Sequence, residues 1–313
     1  MTPMILAGSS NVPLATAIAA RLGTRPIARC LDRYPDAELH VVLRESVRDQ
    51  DIFIVQPTCP PADQHLMELL FLADACRRAG AARVTAVVPY FAYARQDTRA
   101  DGDVPIGARV VAEVIESVGI ARLITMDLHT PELEGFFRIP VEHVSATKAL
   151  ADAVRPAVSE STVIVAPDTG AIRIAEHYQR MLGCPMVVVR KSRLDRQGAS
   201  LQGIVGDDVS GRTPIVVDDM IATGATVEAA VNGLLAAGCR PGVTVVATHA
   251  LFVDSAIKRL HSLPLKQIVV TNTVDRRSPL LFPARVVDVA GLLADTIARL
   301  HRSALPGRSL LRA

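Results

Sequence analysis

Short runs of β-branched and aliphatic residues alternate with stretches of helical period along most of the chain. This rhythm restricts the fold more than any other feature. Val41-Val42-Leu43, Ile52-Phe53-Ile54-Val55, Val84-Thr85-Ala86-Val87-Val88 and Leu123-Ile124-Thr125-Met126 read as strands in the first half. Asp63 is placed to cap a helix through Cys76, with Leu66, Leu69, Leu70, Ala73 and Cys76 on one face and Gly80 as its stop. Ile106, Val110, Val111, Val114, Ile115 and Val118 mark a second helix, ended by Gly119. The second half repeats the pattern. Strands are expected at Val163-Ile164-Val165, Met186 to Val189, Ile215-Val216-Val217, Val243 to Ala247, Ile268 to Thr271 and Val286-Val287. Helices are expected near Ile172 to Leu182 and from about Thr226 to Ala237, the latter stopping at Gly238. Strands without polar alternation, set between helices, imply parallel sheets covered on both faces. The expected fold class is α/β, with two doubly wound, mainly parallel-sheet domains meeting near residue 145. A length of 313 residues allows two domains of about 150 each.

Composition narrows the classes of partner. Aromatic residues make up 4% and Trp is absent, so a stacking platform for single-stranded nucleic acid is not expected. The formal net charge is +2 and no long Lys or Arg block occurs. No nucleic-acid or membrane footprint follows from that. The five cysteines, Cys30, Cys59, Cys76, Cys184 and Cys239, show no zinc-ligand spacing. Reduced, mostly buried thiols in a cytoplasmic protein are expected. No signal peptide is evident at the start. The apolar stretch Val84 to Ala94 is too short to span a bilayer and contains Pro89. The polar, Gly-containing segment Lys191 to Gly211 is expected to be a mobile loop.

The most informative segment runs from Ile215 to Thr226. A buried strand delivers Asp218 and Asp219 to its carboxyl end, where parallel α/β sheets bind ligands. The turn Ala222-Thr223-Gly224-Ala225-Thr226 then leads into a helix. Gly224 permits close backbone approach, and Thr223 and Thr226 add hydroxyls. The helix start offers N–H groups and about half a positive charge to an anion. A phosphate fits at this turn, and paired ribose hydroxyls fit against the two acids. An isolated Asp-Asp pair means little, but the whole run is rare.

Three further segments carry candidate chemistry. In Pro89-Tyr90-Phe91-Ala92-Tyr93-Ala94-Arg95-Gln96-Asp97, Arg95 and Gln96 put a charged fork and an amide on one loop, suited to ATP phosphates and adenine. In Met126-Asp127-Leu128-His129, alternation lets Asp127 and His129 face one side and hold Mg²⁺ with a triphosphate. Arg190-Lys191-Ser192-Arg193 opens the expected loop. Such a cluster is usually solvated surface, yet on a closing lid Lys191 and Arg193 would supply charge during phosphoryl transfer. Asp168, in Ala166-Pro167-Asp168-Thr169-Gly170, is placed either to approach the ligand and its metal or to cap the following helix.

The Ile215 to Thr226 loop resembles the phosphoribosyl-pyrophosphate motif shared by type I phosphoribosyltransferases and ribose-phosphate pyrophosphokinases. The segments at Tyr93 to Asp97 and Asp127 to His129 select the second family. The similarity runs nearly the whole length, from Ala7-Gly8-Ser9-Ser10-Asn11 through Glu45-Ser46-Val47-Arg48 to Val270-Thr271-Asn272-Thr273. It implies the type I phosphoribosyltransferase-like fold in both domains, at 1–144 and 145–299, with a tail of about 300–313 packed on the first. It implies a Mg²⁺-dependent enzyme that makes phosphoribosyl pyrophosphate and AMP from ATP and ribose 5-phosphate. Lys191, Arg193 and His129 would be catalytic. Arg95, Gln96 and Asp97 would bind ATP, and Tyr34, Asp36 and Glu38 would reach adenine in a neighbouring subunit. Asp168, Asp218, Asp219 and residues Ala222, Thr223, Gly224, Ala225 and Thr226 would bind ribose 5-phosphate. Asp127, His129 and Asp168 would serve the metal. A homo-oligomer, often a hexamer, is implied. Two residues depart from the common pattern, Ala222 and Arg138, both at positions where many members carry Asp. The rivals are a phosphoribosyltransferase and a non-catalytic, synthetase-like regulatory subunit.

Overall fold

The computed structural model describes residues 2–99, 102–192, 200–253, 255–275 and 280–303, with the backbone alone at 191, 192 and 200–202. The chain divides into two compact units between Val144 and Ser145. Along the first run β1 (Met4–Ala7), α1 (Val12–Arg21), β2 (Arg29–Arg33), β3 (Leu39–Leu43), β4 (Asp51–Val55), α2 (Ala62–Arg78), β5 (Arg83–Val88), α3 (Gly107–Ser117), β6 (Arg122–Met126) and β7 (Val141–Val144). Five strands form a parallel sheet in the order β1-β4-β5-β6-β7. β2 and β3 pair antiparallel as a separate hairpin.

Burial explains why these strands carry no polar alternation. Leu6, Ile52, Ile54, Ala86, Val88 and Leu123 share one core with Leu69, Leu72, Ala73 and Cys76 of α2 and Val111 and Ile115 of α3. The alternate residues Ile5, Phe53, Val87 and Ile124 are equally buried, so the opposite face is covered too. Two expectations need correction here. Asp63 does not cap α2: Pro61 holds that position, and Asp63 lies in the first turn, where a carboxylate favours the helix dipole. In α3 the buried stripe is Ala108, Val111, Ala112 and Ile115, while Val110 is 51% exposed.

The second unit contains α4 (Thr147–Val154), β8 (Thr162–Ala166), α5 (Ile172–Leu182), β9 (Met186–Ser192), β10 (Ser200–Gly206), β11 (Thr213–Ile221), α6 (Ala225–Ala236), β12 (Val243–Ala250), α7 (Ala256–His261), β13 (Leu265–Thr271) and β14 (Ala284–Val287). Its seven strands lie in the order β10-β9-β8-β11-β12-β13-β14. All neighbours are parallel except β10 and β9. The Lys191 to Gly211 segment is therefore not a plain loop. Its described part includes an antiparallel edge strand, with an irregular register between Leu201 and Gly203.

The chain returns to the first unit before the expected position near 300. The helix α8 (Ala290–Ser303) belongs there and packs along α1. Its inward face carries Leu293, Ile297, Leu300 and His301. His301 Nδ1 lies 2.7 Å from Asp51 Oδ2, and Arg83 makes a two-pronged ion pair with the same carboxylate at 2.9 and 2.6 Å. Glu142 bridges Arg122 and Arg299 at 2.8 and 2.9 Å, so β7 adds a second tie between the sheet and α8. Among the described residues no helix is long and apolar enough to cross a membrane.

His301 is almost buried, so its bond to a carboxylate is shielded from water. His301→Ala is expected to lower stability by roughly 1–3 kcal/mol. Calorimetric melting checks this against Arg25→Ala, which breaks the exposed pair with Glu45 and should shift the melt less. An unchanged melt in His301→Ala would show that the tie does not hold α8.

Candidate active site

The second unit places its candidate residues where the sheet changes direction. From β8 the chain moves to β9 on one side, and from β11 it moves to β12 on the other. Right-handed crossovers of opposite direction put α5 and α6 on opposite faces and open a crevice at the carboxyl ends of β8 and β11. Asp168 follows β8, and Asp218 and Asp219 lie on β11. β11 pairs with β8 only as far as Val216, then continues beside β12 through Ile221. The two acids thus sit within a strand that outruns its neighbour, rather than beyond the strand end expected at Val217.

Both neighbouring carboxylates act on Asp218. Burial, then the charge and side-chain hydrogen bond of Asp219, then the charge of Asp168, push the Asp218 carboxyl well above its usual range. The Asp219 N–H donates to Asp218 Oδ1 at 2.9 Å, which opposes that rise only in part. Desolvation and like charge both penalise the ionised form. Asp168 also accepts from the Gly170 N–H at 3.1 Å and so caps the short helix at Thr169–Ala171. The capping alternative for Asp168 is thus present alongside its place in the crevice.

The turn after β11 enters α6 through Gly224, whose φ of 73° is left-handed. A side chain there would be strained, and its Cβ would lie 3.2 Å from Leu260 Cγ. Ala222, Thr223, Gly224, Ala225 and Thr226 line this helix start, with Thr223 and Ala225 exposed. Ala222 presents no carboxylate. Lys191 lies on β9 opposite Leu201. Arg193 lies outside the described residues.

In the first unit, the candidates gather on two adjacent loops. Arg95 and Gln96 are exposed and Asp97 is half-buried after β5. Asp97 Oδ2 accepts from Thr130 Oγ1 at 3.0 Å, joining this loop to the one after β6. The sequence reading missed Thr130, because nothing local marks a partner so distant along the chain. Asp127 and His129 lie just past β6 rather than on it, so strand alternation does not place them. Asp127 has a φ of 37°, and Leu128 between them is buried in the core. Leu128 N–H donates to His143 Nε2 at 3.1 Å, and Asp127 N–H donates to the Val144 carbonyl at 3.0 Å. These contacts fix the loop, leaving Asp127 half-buried and His129 exposed.

Tyr34, Asp36 and Glu38 occupy the turn of the β2–β3 hairpin. Ala37 there has a φ of 71°, and Glu38 N–H donates to Asp36 Oδ1 at 3.1 Å. Tyr34 is 50% exposed and its ring leans on His40 at 4.8 Å. Arg138 is exposed, and its N–H donates to Glu116.

Among the described residues no three His, Cys, Asp or Glu side chains form a set that would hold a metal ion. A small hard cation that keeps several waters and binds phosphate needs only one or two carboxylates. Asp127 in the first unit and Asp168 in the second fit that requirement. The imidazole of His129 is a poorer ligand for such an ion.

Known proteins resemble this chain over most of its length. The N-terminal domain of ribose phosphate pyrophosphokinase matches residues 3–119, and the phosphoribosyl transferase domain matches residues 142–276. A ribose-phosphate pyrophosphokinase of Nostoc sp. is 40% identical over 299 residues, covering 95% of this chain and 90% of that protein. One from Rhodopirellula baltica is 38% identical and covers 95% of each. The crystal structure of a phosphoribosylpyrophosphate synthetase from Mycobacterium smegmatis is 36% identical, with a TM-score of 0.88 over 97% of this chain and all of that one. The chain belongs to the ribose-phosphate pyrophosphokinase family.

Proposed function

We propose that this enzyme transfers the β,γ-diphosphoryl group of ATP to ribose 5-phosphate. The 1-hydroxyl oxygen of the sugar bonds to the β-phosphorus, the bond from that phosphorus to the α-phosphate oxygen breaks, and AMP leaves. The hydroxyl proton passes to water, and phosphoribosyl pyrophosphate is the other product. The observation that carries this reading is the crowding of Asp168, Asp218 and Asp219 beside the start of α6. Hydroxyl donors of a sugar relieve crowded carboxylates, and helix amides hold its phosphate.

Each residue then has a role. Asp218 and Asp219 orient the sugar hydroxyls. Ala222, Thr223, Gly224, Ala225 and Thr226 hold the 5-phosphate through backbone amides and the two hydroxyls. Arg95, Gln96 and Asp97 bind ATP. Lys191 and Arg193 stabilise charge on the moving diphosphoryl group, and His129 contacts the triphosphate. The family acts with a divalent metal, for which Mg²⁺ fits the oxygen donors best, with Asp127 and His129 as metal contacts offered by the first unit and Asp168 as one offered by the second. Bound Mg²⁺ would screen phosphate charge. The exposed hairpin turn suits an adenine contact by Tyr34, Asp36 and Glu38 in a neighbouring copy within a homo-oligomer, a hexamer in our reading. The cytoplasm, where both substrates occur, is the proposed location.

Pure protein given ATP, Mg²⁺ and ribose 5-phosphate should release AMP only when all three are present. Release without the sugar, or none at all, would overturn the reading. Lys191→Ala should cut turnover on the order of 10²-fold or more while ATP binding, measured by calorimetry, changes little. Equal turnover would remove Lys191 from the mechanism.

Asp218→Asn separates function from stability. It should abolish turnover yet raise the melting temperature of the empty protein. The raised carboxyl in the folded state means that folding takes up a proton between the ordinary carboxylate range and the elevated value. Stability therefore falls as pH rises through that window. The gain in Asp218→Asn should be full above it and vanish below the ordinary range. A gain independent of pH would assign the effect to packing instead.

A further inference from the structure

We infer that Arg259 is a positioning residue for the phosphate-binding turn, acting through the Thr223 carbonyl rather than by touching the ligand. The inference rests on the reading of this turn as the ribose 5-phosphate site. Three consecutive carbonyls, those of Ile221, Ala222 and Thr223, accept hydrogen bonds from the segment that follows β12. Leu251 and Phe252 N–H donate to the Ile221 carbonyl at 3.0 and 3.1 Å, and Val253 N–H donates to that of Ala222 at 3.1 Å. Among the described residues, backbone donation stops there. The Thr223 carbonyl is reached instead by Arg259 Nη1 from α7 at 2.7 Å.

In a planar trans peptide the N–H of one residue points opposite to the preceding carbonyl. Anchoring the carbonyls of residues 221 to 223 on one side therefore aims the N–H groups of Ala222, Thr223 and Gly224 toward the other. Those are the amides that an anion at this turn would meet. Among the described residues, the last of the three peptides alone is held by a side chain, and it is the one joined to the left-handed Gly224.

Arg259 has a second contact. Its Nε lies 2.8 Å from Glu228 Oε2, in the first turn of α6. A carboxylate there suits the empty helix start but repels an incoming phosphate. Pairing with the guanidinium offsets that repulsion while fixing the fork against Thr223. A planar fork makes both contacts at once, and a single ammonium does not reproduce them. Packing holds α7 in reach: Leu260 is buried in the same core as Val227 and Val231 of α6. The edge-on pair of Phe252 with Phe282, at 5.7 Å, seats the segment before it.

The test is steady-state kinetics of Arg259→Ala and Arg259→Lys in the full-length enzyme, with ribose 5-phosphate and ATP each varied. Both variants should raise KM for ribose 5-phosphate about tenfold. Both should leave kcat and the KM for ATP within about twofold. If Arg259→Ala fails to fold by thermal melting, Arg259→Lys decides alone, since it keeps charge and stem. Wild-type KM in Arg259→Lys would show that charge suffices and would overturn the two-pronged brace. Unchanged KM in both, or losses shared by kcat and the ATP constant, would overturn it as well. Wild-type release of AMP, dependent on the sugar and measured in the same assay, shows whether the underlying reading itself stands.

Discussion

Like charges held close together at the end of β11 set the terms for the rest of the second unit. A carboxylate taken partly out of water and placed beside two others is costly in the empty protein. The fold tolerates it because Ile215, Val216 and Val217 bury the preceding strand almost completely. That rigid base keeps the acids from swinging apart. The same crowding makes the crevice receptive to hydroxyl donors and cations, so binding contributes what folding alone leaves unmet. The adjoining turn has the opposite character. Its positive end is a set of amides, and their direction is fixed by carbonyls tied down behind them.

The broad architecture was legible because parallel strands buried on both faces leave uninterrupted apolar runs. Ile52–Val55 is such a case, and the structure places a strand over it, whereas the helix at Ile172–Leu182 showed through its period. Among the strands that lack this burial, β2 and β10 escaped notice. β2 carries Arg29, Asp32 and Arg33 on an exposed hairpin, and β10 is an edge strand containing Gly203 and Gly206. The stripe on α3 was misjudged because Val and Ile occur around much of that helix, and Ala108 and Ala112 rather than Val110 turn inward. Small residues at a close helix–sheet contact are hard to weigh from periodicity.

The site shows the same division between local and distant information. Asp218, Asp219 and residues 222 to 226 are consecutive, so one strand–turn–helix unit brings them together and the sequence displays it. The contacts that shape them are not consecutive. Arg259 lies 36 positions from Thr223, and Thr130 lies 33 from Asp97. Only the crossovers of the sheet bring such pairs together. Asp127 adds another kind of concealment. Its backbone sits at positive φ, which alternation along a strand does not anticipate.

The return of α8 to the first unit makes the second an insertion within the first. During synthesis, every strand of the five-stranded sheet leaves the ribosome well before the helix that lies along α1. Until then α1 packs on β1 but lacks the helix that lies along it, and Asp51 has no histidine beside it. Completion of the first unit therefore waits on emergence of the last part of the chain. A translation product halted after β14 would carry the second unit joined to an unfinished neighbour, with a sticky surface that chaperones and proteases recognise.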